Sequence, residues 1–256
     1  TVADSWTSLI RPNGTLHHRF ILNPCVKGLL APIKESKILD AGCGEGYLSR
    51  ELAAMGAKVI GVDFSDAMIS KCVQAVSELP SLQLEYYCAD IRQMQFLPDQ
   101  SIDKVLSNLC FPNLETHLVQ EALLEFQRIL KPNGMLVFSI LHPCFEAGLG
   151  GWELGEKDAS GRRRGKFFKI DNYFSERTYE RLWKSSTGPF PQPIAFVHRT
   201  LETYFFLLSQ ASFAVNTLRE PRPTAKALES HSEWFDKETR IPFFLVFRCF
   251  AQKIIT

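Results

Sequence analysis

The stretch KILDAGCGEGYLSREL, Lys37–Leu52, constrains the fold more than any other part of the chain. A short apolar strand ends at Asp40. Gly42, Gly44 and Gly46 then form a tight turn, and Leu48, Leu52 and Met55 recur at helical spacing until Gly56. A strand that enters a helix through glycines opens a βαβ unit, and the pattern repeats downstream. KVIGVD (Lys58–Asp63) is the second strand. Ser65 is a good N-cap for a helix whose stripe is Met68, Ile69, Cys72, Val73 and Val76, ended by Pro80. LQLEYYC (Leu82–Cys88) and DKVLSN (Asp103–Asn108) are the third and fourth strands. A helix from about Glu115 to Leu130 follows, then KPNG as a turn and MLVFSIL (Met135–Leu141) as a buried fifth strand. Alternation of this kind predicts an α/β, doubly wound, Rossmann-like parallel sheet with right-handed crossovers.

The pattern breaks after residue 142. Residues 142–198 are rich in glycine, aromatics and charge and carry no long amphipathic period. LETYFFLLSQ (Leu201–Gln210) reads as a helix. FAVNTLRE (Phe213–Glu220) and IPFFLVFRCFAQK (Ile241–Lys253) read as strands six and seven, joined by a polar loop over 221–240. Two strands with no helix between them favour a hairpin, so the seven-stranded sheet is predicted to be mostly parallel with its last strand antiparallel. The expected organisation is a single domain: an N-terminal helical cap over 1–35, a ligand-binding core over 36–141, an insertion over 142–200, and a C-terminal helix and strands over 201–256.

Composition narrows the function classes. The net charge is +1 over 256 residues, which leaves no broad electrostatic footprint for nucleic acid. The one basic run, GRRRGK at Gly161–Lys166, reads first as a solvated loop. The seven cysteines are scattered and never spaced C-x-x-C, so neither zinc nor a disulfide framework is expected. No metal site is expected at all. Reduced cysteines in apolar runs place the chain by default in the cytoplasm. No apolar run reaches membrane-spanning length, and the opening TVADSWTSLI lacks the features of a secretory leader.

The glycine loop also carries information about charge. A dinucleotide fingerprint is G-x-G-x-x-G, with backbone N–H groups aimed at a pyrophosphate. Here the spacing is D-x-G-x-G-x-G, and Asp40 would repel an anion at that position. Asp63 ends the second strand, where a carboxylate accepts ribose hydroxyls. Asp90 follows the third strand in CADI, where a carboxylate takes an exocyclic amine while Ile91 packs on the ring. Three acids at three strand ends suit a nucleoside ligand that is cationic and has no phosphate. S-adenosylmethionine is such a ligand.

Taken in order, LDAGCGEG, VIGVDFS, CADI, DKVLSNL and LKPNGMLVFSI resemble the class I S-adenosylmethionine-dependent methyltransferase family, in its small-molecule branch, over residues 36–141. The resemblance implies that Asp40, Gly42, Cys43 and Gly44 line the methionine part of the cofactor. Asp63 takes the ribose, Phe64 and Met68 the adenine edge, Asp90 and Ile91 the base, and Asn108 and Leu109 border the methyl group. LHHRFILNP (Leu16–Pro24) resembles the cap helix of the same branch, with Arg19 pairing the methionine carboxylate. S-adenosylhomocysteine would be the product.

The acceptor is the open question. Displacement at a sulfonium methyl needs alignment and exclusion of water, and a hydroxyl acceptor needs a base as well. SNLCF at the fourth strand end lacks the N-P-P-Y type sequence of methyltransferases acting on adenine or glutamine amides. His142 at the end of the fifth strand and His198 before the later helix are candidate bases, with Tyr173 grouped beside them. Trp152, Phe167, Phe168, Tyr173, Phe174, Tyr179 and Trp183 make the insertion an expected aromatic lid. The expectation is an enzyme, monomer or homodimer, that methylates a nitrogen or oxygen of a small metabolite, with natural-product biosynthesis as a setting. No nucleic-acid or membrane partner is expected. Two alternatives stay open: a protein that binds S-adenosylmethionine without turnover, and a nicotinamide-dependent oxidoreductase.

Overall fold

A computed structural model describes residues 2–10, 14–77, 79–145, 150–157, 161, 163–185 and 188–252. Arg162 of the basic run and Lys253 at the expected end of the last strand lie outside the described residues. Two helices precede the sheet, α1 (Val2–Ile10) and α2 (Asn23–Leu30), the latter entered through a π-helical turn at His18–Leu22. The core then runs β1 (Lys37–Ala41), α3 (Tyr47–Ala54), β2 (Lys58–Asp63), α4 (Asp66–Val76), β3 (Leu84–Cys88), β4 (Ile102–Asn108), α5 (Thr116–Ile129) and β5 (Leu130–Leu141).

The insertion is more regular than its sequence suggests. β6 (Gly150–Lys157) and β7 (Arg163–Ile170) form one antiparallel pair. β8 (Arg177–Arg181) and β11 (Ile194–His198) form another, with two-residue strands β9 (Lys184–Ser185) and β10 (Gly188–Pro189) between them. The chain finishes with α6 (Leu201–Gln210), β12 (Phe213–Arg219), α7 (Ala225–His231), a 3₁₀ turn at Ser232–Phe235 and β13 (Phe244–Ala251).

The seven strands of the main sheet lie in the order β12-β13-β5-β4-β1-β2-β3. β1 to β5 are parallel, and β13 is antiparallel to both β5 and β12, as a reversed last strand requires. Two-residue periodicity sends alternate side chains to opposite faces. Leu39, Val105, Leu136 and Phe138 pack on α5 and α6. Ile38, Leu106, Val137 and Val246 pack on α2 and α3. Phe138 and Phe247, on adjacent strands, stack at 4.7 Å between centroids and 3° between planes.

Four local expectations change. KPNG does not separate α5 from a later strand. β5 starts at Leu130, and the partner of β4 jumps from Leu130 opposite Ile102 to Met135 opposite Lys104. The tetrad is a bulge inside the strand, with Asn133 at φ +61° supplying its corner. The loop over 221–240 holds α7 and the 3₁₀ turn because Ala227 and Phe235 are apolar enough to bury fully. Val73 stays exposed on α4, where Ile69 and Cys72 alone are buried. β3 starts two positions later than expected, at Leu84.

The Phe138–Phe247 stack is fully buried, so Phe138→Ala should cost about 3–5 kcal/mol, read as a lowered denaturant midpoint with unchanged slope.

Candidate functional site

In the order β2-β1-β4 the winding of the parallel sheet reverses between β1 and β4, which opens a crevice beyond their carboxyl ends. The glycine loop sits there. Gly42 and Cys43 both donate to the Val62 carbonyl, at 2.8 and 3.0 Å. Gly44 donates instead to Asp63 Oδ2 at 2.9 Å, while Ser65 donates to Asp63 Oδ1 at 3.0 Å. One carboxylate thus fixes both the loop and the start of α4, where the Ser65 hydroxyl caps Met68 N–H.

The three glycines do different things. A Cβ on Gly42 would lie 2.6 Å from Cys110 Sγ, and one on Gly46 would lie 2.3 Å from the Tyr86 hydroxyl. Both are closed by packing against neighbouring strands. A Cβ on Gly44 would meet nothing within 4 Å. The open face of the loop is therefore at Gly44, beside Asp63.

Asp40 lies beneath it, buried, accepting a hydrogen bond from Ser49 of α3. Burial pushes its carboxyl up to about 6, against the Ser49 hydrogen bond, and the nearby Asp63 adds to the rise. Asp63 is also pushed up by burial, opposed by its two backbone donors. Among the described residues, no cation contributes at either carboxyl. The cradle thus holds acid that its own side chains do not neutralise, which is the electrostatic fit for a cationic ligand.

Phe64 stands out from the end of β2, 81% exposed, with Met68 half-buried one turn into α4. Cys88 Sγ reaches the Phe64 carbonyl at the neighbouring strand end. Asp90 differs from the expectation of a free acceptor. Arg92 grips it through Nε and Nη2, which holds its carboxyl below the usual range. Any amine it accepts shares it with that arginine. Ile91 is buried behind it.

At the end of β4, the Ser139 hydroxyl donates to Asn108 Oδ1 at 2.6 Å and accepts from Leu109 N–H at 3.0 Å. Leu109 is held at φ +57°, a conformation costly for a residue with a Cβ. This kink turns Cys110 onto Gly42. Asp40, Gly42, Cys43, Gly44, Asp63, Phe64, Met68, Asn108 and Leu109 therefore occupy the carboxyl ends of three adjacent strands.

Residues 39–138 match the family described as methyltransferase domain. An S-adenosylmethionine-dependent methyltransferase of Mesorhizobium loti superposes with a TM-score of 0.67 at 27% identity, covering 89% of this chain and 96% of that one. Residues 39–138 are thus a methyltransferase domain, and the chain is similar over most of its length to S-adenosylmethionine-dependent methyltransferases of class I fold. A malonyl-[acyl-carrier protein] O-methyltransferase of Yersinia pestis is 35% identical over 107 residues, which is 41% of this chain and 36% of that protein. A ubiquinone biosynthesis O-methyltransferase of Coxiella burnetii is 31% identical over 153 residues, 58% of this chain and 62% of that protein. The match spans less than two thirds of the length of either O-methyltransferase.

The histidines are distributed unevenly around this domain. His142, at the end of β5, is buried with both ring nitrogens engaged. Nδ1 accepts from Cys144 N–H at 3.2 Å and Nε2 faces Glu220 Oε1 at 3.1 Å. Burial pushes its pKa down, against the pull of Glu220. His198 is buried at the end of β11, where its Nε2 donates to the Tyr173 carbonyl at 2.7 Å. The Tyr173 hydroxyl accepts from Leu201 N–H at 2.9 Å and so caps the first turn of α6. Arg199 beside it is wholly buried and donates to the Phe111 and Leu114 carbonyls and to Thr116, which locks the insertion to the start of α5. Arg19 is exposed, its guanidinium 5.3 Å from the Phe20 ring centroid. His18, not Arg19, packs on Tyr47 at the start of α3.

Sequence reading passed over two pairs. His17 Nε2 lies 2.6 Å from Glu238 Oε1, and Glu220 meets His142. Both acids come from segments far along the chain, so no local spacing signals them.

Gly44→Ala should stay folded at a cost of about 1 kcal/mol for its positive φ, yet lose at least about tenfold in S-adenosylmethionine affinity. Gly42→Ala should instead lose about 2 kcal/mol or more of stability through overlap with Cys110. Chemical denaturation and calorimetry separate the two. A raised carboxyl favours the folded state below its ordinary value of 3.8, and that contribution is lost as pH rises through about 6. A cation bound beside Asp40 reverses the preference. S-adenosylmethionine binding near pH 6 should therefore release a proton, seen as a buffer-dependent binding enthalpy, and Asp40→Asn should abolish that release.

Proposed function

We propose that this enzyme transfers a methyl group from S-adenosylmethionine to a nitrogen or oxygen of a small metabolite. The observation that carries the reading is the open face at Gly44, flanked by Asp40 and Asp63 with no cation among the described residues against them. The donor supplies an electrophilic methyl group on a sulfonium. In this reading Asp63 and the loop N–H groups hold the nucleoside, Phe64 and Met68 cover its base, and Asp40 matches the positive charge. Asn108 and Leu109 set the floor beneath the transferred group.

The acceptor side lies under the insertion and the N-terminal segment. Trp6 of α1 meets Trp183 at 5.7 Å and Phe190 at 5.3 Å, ring centroid to centroid. The other side of α1 is tied to α4 by Asp4 and Lys71 at 2.7 Å. α1 therefore bridges the donor-side helix and the insertion, and in this reading serves as a strap over the crevice. Water exclusion by such a cover favours displacement at carbon over hydrolysis. His142 and His198 act as pivots of that cover, since each spends a ring nitrogen on the backbone or on Glu220. The two O-methyltransferase relatives support oxygen as the acceptor atom.

Calorimetry with S-adenosylmethionine tests the reading. Wild type should bind, and Asp63→Ala should weaken binding by about tenfold or more, the effect of losing about 1.4 kcal/mol. Absence of wild-type binding would sink the proposal. Trp6→Ala should speed S-adenosylhomocysteine release several-fold in stopped-flow displacement while leaving the melting midpoint of the core nearly unchanged.

A further inference from the structure

The N-terminal segment crosses the carboxyl ends of the central strands. His18 packs on Tyr47, which starts α3 directly after the glycine loop. Leu16 and Phe20 pack on the same apolar cluster as Leu109 and Leu141, at the ends of β4 and β5. His17 lies on this segment, its ring stacked on Phe243 at 5.8 Å and 9°. Phe243 in turn is bonded through its carbonyl to His142 N–H, beyond the end of β5. His17 is thus carried on the carboxyl-end side of the sheet, between the start of α3 and the Phe243 backbone that meets the end of β5.

Behind His17 stands Glu238, only 7% exposed. Its Oε1 accepts from His17 Nε2 at 2.6 Å, and its Oε2 is buried with no hydrogen-bond partner. A carboxylate is an acceptor only, so Nε2 carries the proton and the lone pair of the neutral ring is at Nδ1. The His17 side chain is 35% exposed, which leaves the ring reachable. The other histidines are arranged differently. His142 has both nitrogens engaged. His198 is only 1% exposed and spends its Nε2 on the Tyr173 carbonyl. His18 is half-buried, with its Nδ1 bonded to Thr15. His117 and His231 lean on their own helices' Glu115 and Ser230.

We propose that His17 is the general base of this methyltransferase, that Glu238 is its positioning residue, and that the acceptor is a phenolic or enolic hydroxyl. The proposal rests on the methyl-transfer reading above. A carboxylate acceptor is already ionised near neutral pH and needs no base, whereas a neutral hydroxyl does. As the hydroxyl oxygen bonds to the methyl carbon, its proton passes to His17 Nδ1. The pair of the broken carbon–sulfur bond stays on sulfur, which becomes a neutral thioether. The imidazolium so formed faces a carboxylate already in hydrogen-bond contact, an arrangement that orients the ring.

Two measurements test this. Nitrogen-detected NMR of histidine-labelled protein with S-adenosylhomocysteine present should show His17 as the Nε2–H tautomer with Nδ1 bare, and Glu238→Gln should scramble it. A wild-type Nδ1–H tautomer overturns the proposal without any reference to turnover. S-adenosylhomocysteine release is then measured with catechols and phenols beside fatty acids and alkylamines. His17→Gln should lower kcat with a hydroxyl acceptor by about 10²–10⁴-fold, with acceptor KM and S-adenosylmethionine affinity held within about twofold. Glu238→Gln should fall between, and Glu238→Asp should restore part of the rate. Unchanged kcat in His17→Gln overturns the base. Turnover of carboxylates or amines alone, or of no hydroxyl at all, overturns the acceptor class. Loss of wild-type S-adenosylmethionine binding instead fails the methyl-transfer reading, and the tautomer result still decides the pairing.

Discussion

Everything at the donor end depends on one carboxylate with two backbone donors. Asp63 takes Gly44 N–H on one oxygen and Ser65 N–H on the other. The first bond keeps the loop bent away from the sheet with the Gly44 face open. The second starts α4 at the position where Ser65 can cap it. Loop, strand end and helix start are therefore one mechanical unit, and the burial of Asp63 is tolerated because each oxygen keeps a donor. Asp40 has a poorer bargain, with Ser49 as its hydrogen-bond donor. An acid kept so is a standing destabilisation that a cation removes, which is how a site can cost the empty fold and reward occupancy.

The parts of the chain that lie outside the sheet are built on a different principle. Long side chains stitch them to the core. Arg199 fastens the β8–β11 pair to the start of α5. Arg240 donates to the Gly165 and Lys166 carbonyls and lies 4.5 Å over Trp152, which fastens the β6–β7 pair to the segment before β13. Backbone carbonyls accept these cations, so the insertion is held by charge-assisted bonds more than by a hydrophobic core of its own.

The shape of the glycine loop was legible because its signals are local. Glycine spacing, strand-end acids and the Ser65 cap all lie within a few residues of the backbone they shape. The reversed last strand was legible too, since Phe213–Glu220 and Ile241–Lys253 lack an intervening crossover helix long enough to return parallel. The KPNG bulge was misread because a turn and a bulge use the same residues, and only the pairing of Ile102 with Leu130 decides between them. The insertion's strands were missed because bulges at Glu153/Leu154 and Leu154/Lys157 break the two-residue period. Asp90 was read without Arg92, two residues on, whose grip depends on a side-chain rotamer that no spacing rule fixes. Glu238 and Glu220 were invisible for a deeper reason. Each meets its histidine across a large stretch of chain.

The position of β13 has a consequence for how the protein is made. The last strand of the chain lies between β5 and β12, near the middle of one half of the sheet. Until it emerges from the ribosome, β5 presents an unpaired edge of Val137, Phe138 and neighbouring apolar residues. The cofactor-binding half, complete by residue 141, has all its strands long before that edge is covered. Synthesis thus passes through a stage in which a finished cradle hangs on an open sheet. Chaperone capture or chain-to-chain pairing would concentrate at β5 during that interval, and a stalled or truncated chain would aggregate through the same edge.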